Sequence, residues 1–301
     1  MPISPEPKRE HPSTYFVQDR SNEDEFTRLQ IQDHIVTAGM GGVLPEQSDA
    51  TLFHRILDVG CGTGGWLIET AKTYPAISLL VGGDVSNRML EYARRQAEAE
   101  QVNDRVEFHV MDTLRMLEFP TGYFDLVNQR FGGSYLRTWD WLKLLQEYQR
   151  VVRPGGVVRI TEGELAAESM SAALSRLSNL SRQAFYQAGH LFTPTSDGVT
   201  SKLTDLLRQH GLQNVQARAY ELEWRADTPE GQRFFEDLKV GTRIIEPFLR
   251  KWTRVPDDYK DLCQQMRSDM EQPNFVVTGR ILTAWGNAQP SKNQPEDDYP
   301  R

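Results

Sequence analysis

A glycine-rich turn between a predicted strand and a predicted helix is the feature that most constrains this chain. Residues 57–65 read Leu-Asp-Val-Gly-Cys-Gly-Thr-Gly-Gly and follow an apolar strand predicted at 53–59. Gly60 and Gly62 admit backbone conformations that a Cβ disfavours, and they let a ligand approach the main chain closely. A helix that begins near Gly65 offers free N–H groups to a polar or anionic ligand group.

Strand and helix signals alternate after this turn. One helix begins after Ser86, which is suited to N-capping, and another is predicted over 135–152. Alternation of this kind predicts an α/β, Rossmann-like fold, with a mainly parallel sheet and helices on both faces. Seven strands are predicted, at 53–59, 79–84, 105–111, 124–129, 157–161, 214–224 and 274–285.

The rest of the chain predicts additions to this core. A helix over 21–35 indicates an N-terminal helical arm, and the segments 164–188 and 201–210 also have helical patterns. The mostly helical stretch between the last two strands predicts a cap that interrupts a hairpin. The predicted division is a mobile N-terminus and arm at 1–50, a core at 51–226 and 273–287, a cap at 227–272 and a mobile tail at 288–301.

The turn is compatible with two classes of nucleotide-like cofactor. Gly60, Gly62 and Gly65 satisfy the G-x-G-x-x-G spacing of dinucleotide binding, which is a weak signal alone. Asp84 ends the second predicted strand, 24 residues after Gly60. A carboxylate there accepts hydrogen bonds from ribose hydroxyls in either class. The spacing therefore predicts a ribose-containing cofactor without choosing between them.

The surrounding residues resemble the class I S-adenosylmethionine-dependent methyltransferases. The first motif of that family carries an acidic residue two positions before its first glycine, and Asp58 fills that position here. Asp112 matches the acidic residue after the third strand. The segment Phe-Asp-Leu-Val at 124–127 matches the fourth strand, and Arg-Pro-Gly-Gly at 153–156 matches the turn before the fifth. These matches occur in the expected order across 53–162.

The resemblance implies a role for each matched residue. Asp84 would hold the ribose hydroxyls, Asp112 the adenine amino group, and Asp58 would lie near the amino group of the methionine part. Gln129 would face the methionine end or serve equally as a structural amide. The implied cofactor-binding residues are Asp58, Gly60, Cys61, Gly62, Gly64, Asp84, Val85, Met89, Met111, Asp112, Thr113 and Gln129.

Few residues are candidates for acid–base chemistry. Methyl transfer is an in-line displacement, and a base is needed only where the nucleophile must lose a proton. His190, in a predicted loop near the cap, and Tyr15, in the arm, are the catalytic candidates, with Glu164 a weaker one. The histidines form no pair at metal-ligand spacing. Cys61 and Cys263 alone make neither a disulfide framework nor a zinc cluster, so no metal is predicted.

Composition and aromatic clustering favour a small-molecule substrate. The chain has 34 Lys and Arg against 42 Asp and Glu, a net charge of −8, which argues against a general nucleic-acid binder. Aromatic residues gather after the fourth strand and in the predicted cap, where they would wall an apolar pocket. They are Phe131, Tyr135, Trp139, Trp141, Phe185, Tyr186, Phe192, Phe234, Phe235, Phe248 and Trp252.

The N-terminal arm adds a weaker resemblance, to bacterial methyltransferases of secondary metabolism. It rests on Tyr15, on the segment Asp-Glu-Phe-Thr-Arg-Leu-Gln-Ile-Gln-Asp at 24–33 and on Met-Gly-Gly at 40–42. It implies a lid over the cofactor site, with Tyr15, Arg28 and Gln32 near the ligand, or else an exposed amphipathic helix. Through such an arm a homo-oligomer is plausible.

The combined prediction is a methyltransferase with S-adenosylmethionine as cofactor and S-adenosylhomocysteine as product. It would methylate O, N or C of a small, apolar or aromatic, natural-product-like molecule. Two alternatives stay open: an NAD(P)-dependent oxidoreductase with the same glycine turn, and a cofactor-binding regulator that acts through a protein partner. No apolar run has the length of a membrane helix, and the first residues do not resemble a signal peptide, so a cytoplasmic setting is expected.

Overall fold

A single eight-stranded sheet organises the chain in the computed structural model, which describes residues 15–17, 23–165 and 168–289. The strands are β1 Arg55–Val59, β2 Leu79–Asp84, β3 Val106–Val110, β4 Phe124–Arg130, β5 Val152–Gly163, β6 Glu168–Ser169, β7 Gln213–Arg225 and β8 Val276–Asn287. The helices are α1 Glu23–Met40, α2 Gly65–Thr73, α3 Asn87–Ala99, α4 Trp141–Val151, α5 Ala172–Gln187, α6 Thr200–Gln209, α7 Pro229–Ile244, α8 Glu246–Trp252 and α9 Tyr259–Met270.

The strand order is β3-β2-β1-β4-β5-β8, with β7 on the far edge of β8. The first five strands are parallel, and β8 runs antiparallel to both β5 and β7. The predicted mainly parallel, Rossmann-like sheet is therefore confirmed. The eighth strand, β6, has only two residues and pairs with β8 beyond the end of β5.

Alternate residues of the central strand enter two hydrophobic cores, one on each face of the sheet. Leu57 and Val59 of β1 join a large core that includes Trp141, whereas Ile56 joins a smaller one that includes Trp66. Burial on both faces is what a parallel sheet covered by helices requires.

Two predicted helices begin later than the sequence pattern indicates. The helix predicted at 135–152 starts at Trp141, because turns and irregular backbone occupy 135–140, after a short 3₁₀ turn at Gly132–Ser134. The helix predicted at 164–188 starts at Ala172. Ser171 caps it, since its hydroxyl oxygen accepts a hydrogen bond from the Leu174 N–H at 3.0 Å. Of the residues before this cap, Glu168 and Ser169 form β6.

Helices α1 and α7–α9 lie outside the alternating core. Helix α1 packs against α7 and α2, and α7–α9 connect β7 to β8. None of the helices in the described ranges combines the length and apolarity needed to cross a membrane. Of the predicted mobile segments, residues 1–12 and all of 288–301 except Ala288 and Gln289 fall outside the described residues; Ala288 is buried.

Candidate active site

The glycine turn lies at the carboxyl end of β1 and is tied to the neighbouring strand. The N–H groups of Gly60 and Cys61 donate to the Gly83 carbonyl of β2, at 2.8 and 3.1 Å. Gly60 and Gly62 have φ angles of +71° and +53°, which residues with a Cβ rarely adopt. This is the edge at which open α/β sheets bind their ligands.

Asp84, at the end of β2, holds both the turn and the start of the next helix. Its Oδ2 accepts from the Gly62 N–H at 3.0 Å, and its Oδ1 accepts from the Ser86 N–H at 2.8 Å. Ser86 in turn caps α3. The carboxylate is therefore fixed beside the turn, as the sequence analysis expects of a ribose-binding residue.

A buried polar chain supports Asp58 from behind. Its Oδ1 accepts from the Asn128 amide at 2.7 Å, and the Asn128 oxygen accepts from Arg159 at 2.8 Å. Arg159 also donates to Glu46, in the segment after α1, at 2.6 Å. Burial raises the pKa of Asp58 to about 7, although Asn128 and Arg159 act to lower it. The chain of contacts joins the region after α1 to the base of the turn.

A cavity of about 570 Å³ opens from the turn and extends between α1, α5 and α7. Nine of the twelve predicted cofactor-binding residues line it, so the sequence motifs converge on one space. They are Asp58, Gly60, Cys61, Gly62, Asp84, Val85, Met89, Asp112 and Thr113.

The other three predicted cofactor residues lie outside the cavity lining. A Cβ on Gly64 would point at Phe108, 2.7 Å away, on the side of the small core. Met111 packs its methyl group against Gly83. Gln129 is fully buried, where it accepts from the Tyr148 hydroxyl at 2.6 Å. Its amide group contacts Tyr148 and Glu162, and a role at the methionine end of the cofactor stays a prediction.

The two catalytic candidates have different positions. His190 is fully buried, outside the cavity lining, with Nδ1 2.8 Å from the Leu136 carbonyl oxygen and its ring against Phe185. Burial lowers the pKa of His190 to about 4, so it stays neutral. Its position therefore does not support the predicted catalytic role. Tyr15 does line the cavity, and its hydroxyl donates to Glu25 at 2.5 Å.

Glu162, near the end of β5, is a further site residue that was not predicted from the sequence. This side chain lines the cavity but is only 3% exposed. Its carboxylate accepts from the Gly133 N–H at 3.2 Å and from the Gln129 amide at 3.4 Å. Burial raises the pKa of Glu162 to about 8, against these hydrogen bonds. Its position directly after the apolar strand predicted at 157–161 was the signal that could have identified it, whereas Glu164, two residues further on, was the candidate predicted.

The predicted aromatic wall is partly present. Phe131, Tyr135, Phe185 and Phe234 line the cavity. Other members have different surroundings: Trp141 is core, and Trp139 and Tyr186 are exposed. Leucine, isoleucine and valine side chains complete the lining, chiefly Leu29, Val36, Leu165, Leu174, Leu177, Leu191, Val199, Leu238, Ile245 and Ile281. Within the described ranges, no group of three His, Cys, Asp or Glu is arranged to hold a metal ion.

Comparison with known proteins agrees with this geometry. Residues 56–156 match a family model described as a methyltransferase domain. A demethylmenaquinone methyltransferase of Deinococcus radiodurans is 36% identical over 123 residues, 41% of this chain and 48% of the relative. The 27-O-demethylrifamycin SV methyltransferase of Amycolatopsis mediterranei is 24% identical over 256 residues, 85% of this chain and 79% of the relative. The chain thus spans about half the length of the first of these relatives.

Solved structures show the same fold. Phosphoethanolamine N-methyltransferase 2 of Haemonchus contortus, in complex with S-adenosyl-L-methionine, has a TM-score of 0.55 at 18% identity. The match covers 93% of this chain and 61% of that one. A putative methyltransferase of Bacillus halodurans has a TM-score of 0.51 at 14% identity, with 82% and 97% covered. Residues 56–156 thus resemble a methyltransferase domain, and the comparisons support a class I S-adenosylmethionine-dependent methyltransferase with S-adenosylmethionine as cofactor.

Proposed function

We propose that this chain transfers a methyl group from S-adenosylmethionine to a hydroxyl group of a small, largely apolar molecule. One observation carries the proposal: a single cavity joins the glycine turn, Asp84 and Asp112 to a region walled by aromatic and aliphatic side chains. Small-molecule sites are typically apolar with a few convergent polar groups, as here.

The residues at the turn fit this cofactor. A Cβ on Gly60 would lie 2.5 Å from the Tyr135 hydroxyl oxygen, so only glycine at this position leaves Tyr135 in place in the cavity lining. Asp84 supplies the carboxylate for the ribose, and Asp112 the acceptor for the adenine amino group. When bound, the cofactor supplies an electrophilic methyl group on a sulfonium.

Glu162 is the group that receives the acceptor proton in this proposal. Glu162 lines the cavity. A buried hydrogen-bond relay orients its carboxylate: the Tyr148 hydroxyl donates to Gln129, and the Gln129 amide donates to Glu162. A base with a pKa of about 8 is well matched to a weakly acidic hydroxyl near neutral pH. The apolar wall excludes water and orients the acceptor, which is the larger part of catalysis for a displacement.

The relatives support a natural-product-like acceptor. The relative that aligns over 85% of this chain is named for a rifamycin, and its methylated atom is an oxygen by its name. We propose in addition that α1 and the helices at 227–272 act as lid and cap over a core at 51–226 and 273–287, and that the protein acts in the cytoplasm. The same proposal includes a homo-oligomer whose subunits contact one another through the N-terminal arm.

Calorimetric titration with S-adenosylmethionine, S-adenosylhomocysteine, NAD and NADP tests the cofactor first. Saturable binding of the first two alone is expected. Mass spectrometry then screens hydroxylated, aminated and carbon-acid versions of apolar ring systems for a gain of one methyl group. Nicotinamide binding would contradict the proposal, and cofactor binding without turnover of any acceptor would favour the regulator.

Replacing Asp84 by alanine is expected to weaken S-adenosylhomocysteine binding by about 10- to 100-fold, the equivalent of losing hydrogen bonds to a charged group. The variant loses the carboxylate proposed for the ribose and its bond to the Gly62 N–H. Calorimetry measures the affinity. Asp104→Ala, at a largely exposed carboxylate between α3 and β3, is the control expected to bind normally. Equal S-adenosylhomocysteine affinities of the two variants would show that the Asp84 carboxylate does not bind the cofactor.

A further inference from the structure

The cavity lining is strongly acidic. Eight carboxylate side chains contribute to it, against three guanidinium groups. The acidic residues are Glu25, Asp33, Asp58, Asp84, Asp112, Glu162, Glu164 and Asp237, and the basic ones are Arg28, Arg130 and Arg280. Even with a sulfonium cation bound, carboxylates remain in excess. A phosphate or carboxylate on the acceptor would be repelled by this surface.

Most of these carboxylates already have a partner or a proposed role. Asp33 pairs with Arg130, and Glu164 lies 3.7 Å from Arg280. Asp58, Asp84 and Asp112 surround the cofactor turn, and Glu162 is the proposed proton acceptor. Two acids remain, Glu25 on α1 and Asp237 on α7, and they share a single guanidinium, that of Arg28.

Arg28 is committed almost entirely to Glu25. Its Nε and Nη2 donate to the two Glu25 oxygens at 2.6 and 2.8 Å, a bidentate pair. Tyr15 donates to Glu25 as well, at 2.5 Å. Asp237 receives only the remaining Nη1, at a long 3.4 Å, on its Oδ1. Glu25 therefore neutralises Arg28, and Asp237 adds one further negative charge.

The second oxygen of Asp237 is available to a ligand. Asp237 is 6% exposed and lines the cavity, and among the described residues its Oδ2 has no hydrogen-bond partner. Burial raises the pKa of Asp237 to about 6, opposed by Arg28, so the ionised form still dominates above that pH. A buried carboxylate without its own counter-ion is costly, and a cationic ligand group relieves that cost.

Asp237 and Gly62 of the turn line the same cavity. Leu29, the neighbour of Arg28 on α1, has its Cδ1 3.9 Å from the Cβ position of Gly62. On α7, Leu238 beside Asp237 and Phe234 one helical turn before it both line the cavity. The carboxylate is thus set in apolar surroundings within the same space.

From these contacts we infer that Asp237 binds a protonated amine on the acceptor. The inference rests on the proposed function, and it narrows the substrate to apolar molecules that carry an amine apart from the methylated atom. A hydroxyl would satisfy the hydrogen bond of Asp237 but not its charge. The helix that carries Asp237 belongs to the insertion between β7 and β8, so this specificity is separate from the cofactor-binding core.

Binding of three matched probes tests the inference without knowledge of the acceptor. Octylamine, octanol and octanoate are titrated by calorimetry into wild-type protein saturated with S-adenosylhomocysteine, in buffer above the pKa of Asp237. Octylamine is expected to bind about tenfold more tightly than octanol, as one partly desolvated ion pair would give, and octanoate most weakly. In Asp237→Asn the preference for the amine should disappear.

Controls separate this role from a structural one. Asp237→Asn should keep wild-type S-adenosylhomocysteine affinity and melting behaviour, and Asp237→Glu should restore part of the amine preference. Glu164→Gln removes the same formal charge elsewhere in the lining and should retain the preference. Equal affinity of wild-type protein for the amine and the alcohol, no measurable binding of octylamine, or an unchanged preference in Asp237→Asn would each overturn the inference.

The proposed function can fail separately. If wild-type protein does not bind S-adenosylhomocysteine, the cofactor assignment is contradicted. The amine preference is then measured on the protein alone, and the same comparison between wild type and Asp237→Asn decides the inference.

Discussion

Replacing Glu162 by glutamine is expected to lower kcat by about 10²- to 10⁴-fold, the usual contribution of a positioned base, while S-adenosylhomocysteine affinity stays near that of wild type. Glutamine preserves the shape of the side chain and its hydrogen bond from the Gly133 N–H. It removes the capacity to accept a proton. Rates are measured by mass spectrometry on the first hydroxylated acceptor found in the screen, and affinity by calorimetry.

The pH dependence gives a second readout of the same role. Because burial raises the pKa of Glu162 to about 8, its proton-accepting form becomes populated only as the pH rises through that value. We therefore expect kcat/KM of the wild-type enzyme to increase across this range and that of Glu162→Gln to be flat. Glu164→Gln, at the neighbouring lining position, should keep the wild-type profile. Full activity of the Glu162→Gln variant would show that another group, such as solvent, accepts the proton of the substrate hydroxyl.

Gln129 and Tyr148 connect this site to the core. Their hydrogen bonds fix the position of the buried Glu162 carboxylate. The relay lies between β4 and α4 and is fully buried. Such networks rigidify a site when every member is satisfied. The same burial that fixes Glu162 is the cause of its raised pKa, so orientation and basicity have one structural origin.

The fold and the turn could be predicted because their signals are local. The alternation of strands and helices needs only neighbouring residues, and glycine at positive φ is required where Gly60 and Gly62 lie. Asp84 was identifiable for the same reason, since the end of a predicted parallel strand fixes its place at the ligand edge.

The acceptor side of the cavity could not be predicted, because its contacts join distant parts of the chain. Arg28 and Asp237 are 209 residues apart in sequence, and only the packing of α1 on α7 brings them together. The surroundings of His190 could not be predicted from local signals either. Its sequence suggested a loop, but Phe185 and Phe248 enclose its ring in the core. Side-chain direction at such positions depends on tertiary packing.

The glycine turn provides the most severe test of the cofactor site. Gly60→Val is expected to weaken S-adenosylhomocysteine binding by more than about 100-fold, because its side chain would displace Tyr135, which lines the cavity beside the turn. A Cβ there would lie 2.5 Å from the Tyr135 hydroxyl oxygen and 3.0 Å from its Cζ. The two further methyl groups of valine extend the obstruction. Calorimetry measures the loss.

Backbone strain has to be separated from this obstruction, and Gly41 offers a matched control. Its φ of +86° resembles the +71° of Gly60, but a Cβ at Gly41 has nothing within 4 Å. Both valine variants therefore carry a similar left-handed backbone penalty of about 1–2 kcal/mol, which chemical denaturation measures. If obstruction is the cause, Gly41→Val binds the cofactor product normally and Gly60→Val does not. Equal binding by the two variants would show that displacing Tyr135 from the turn does not affect the cofactor site.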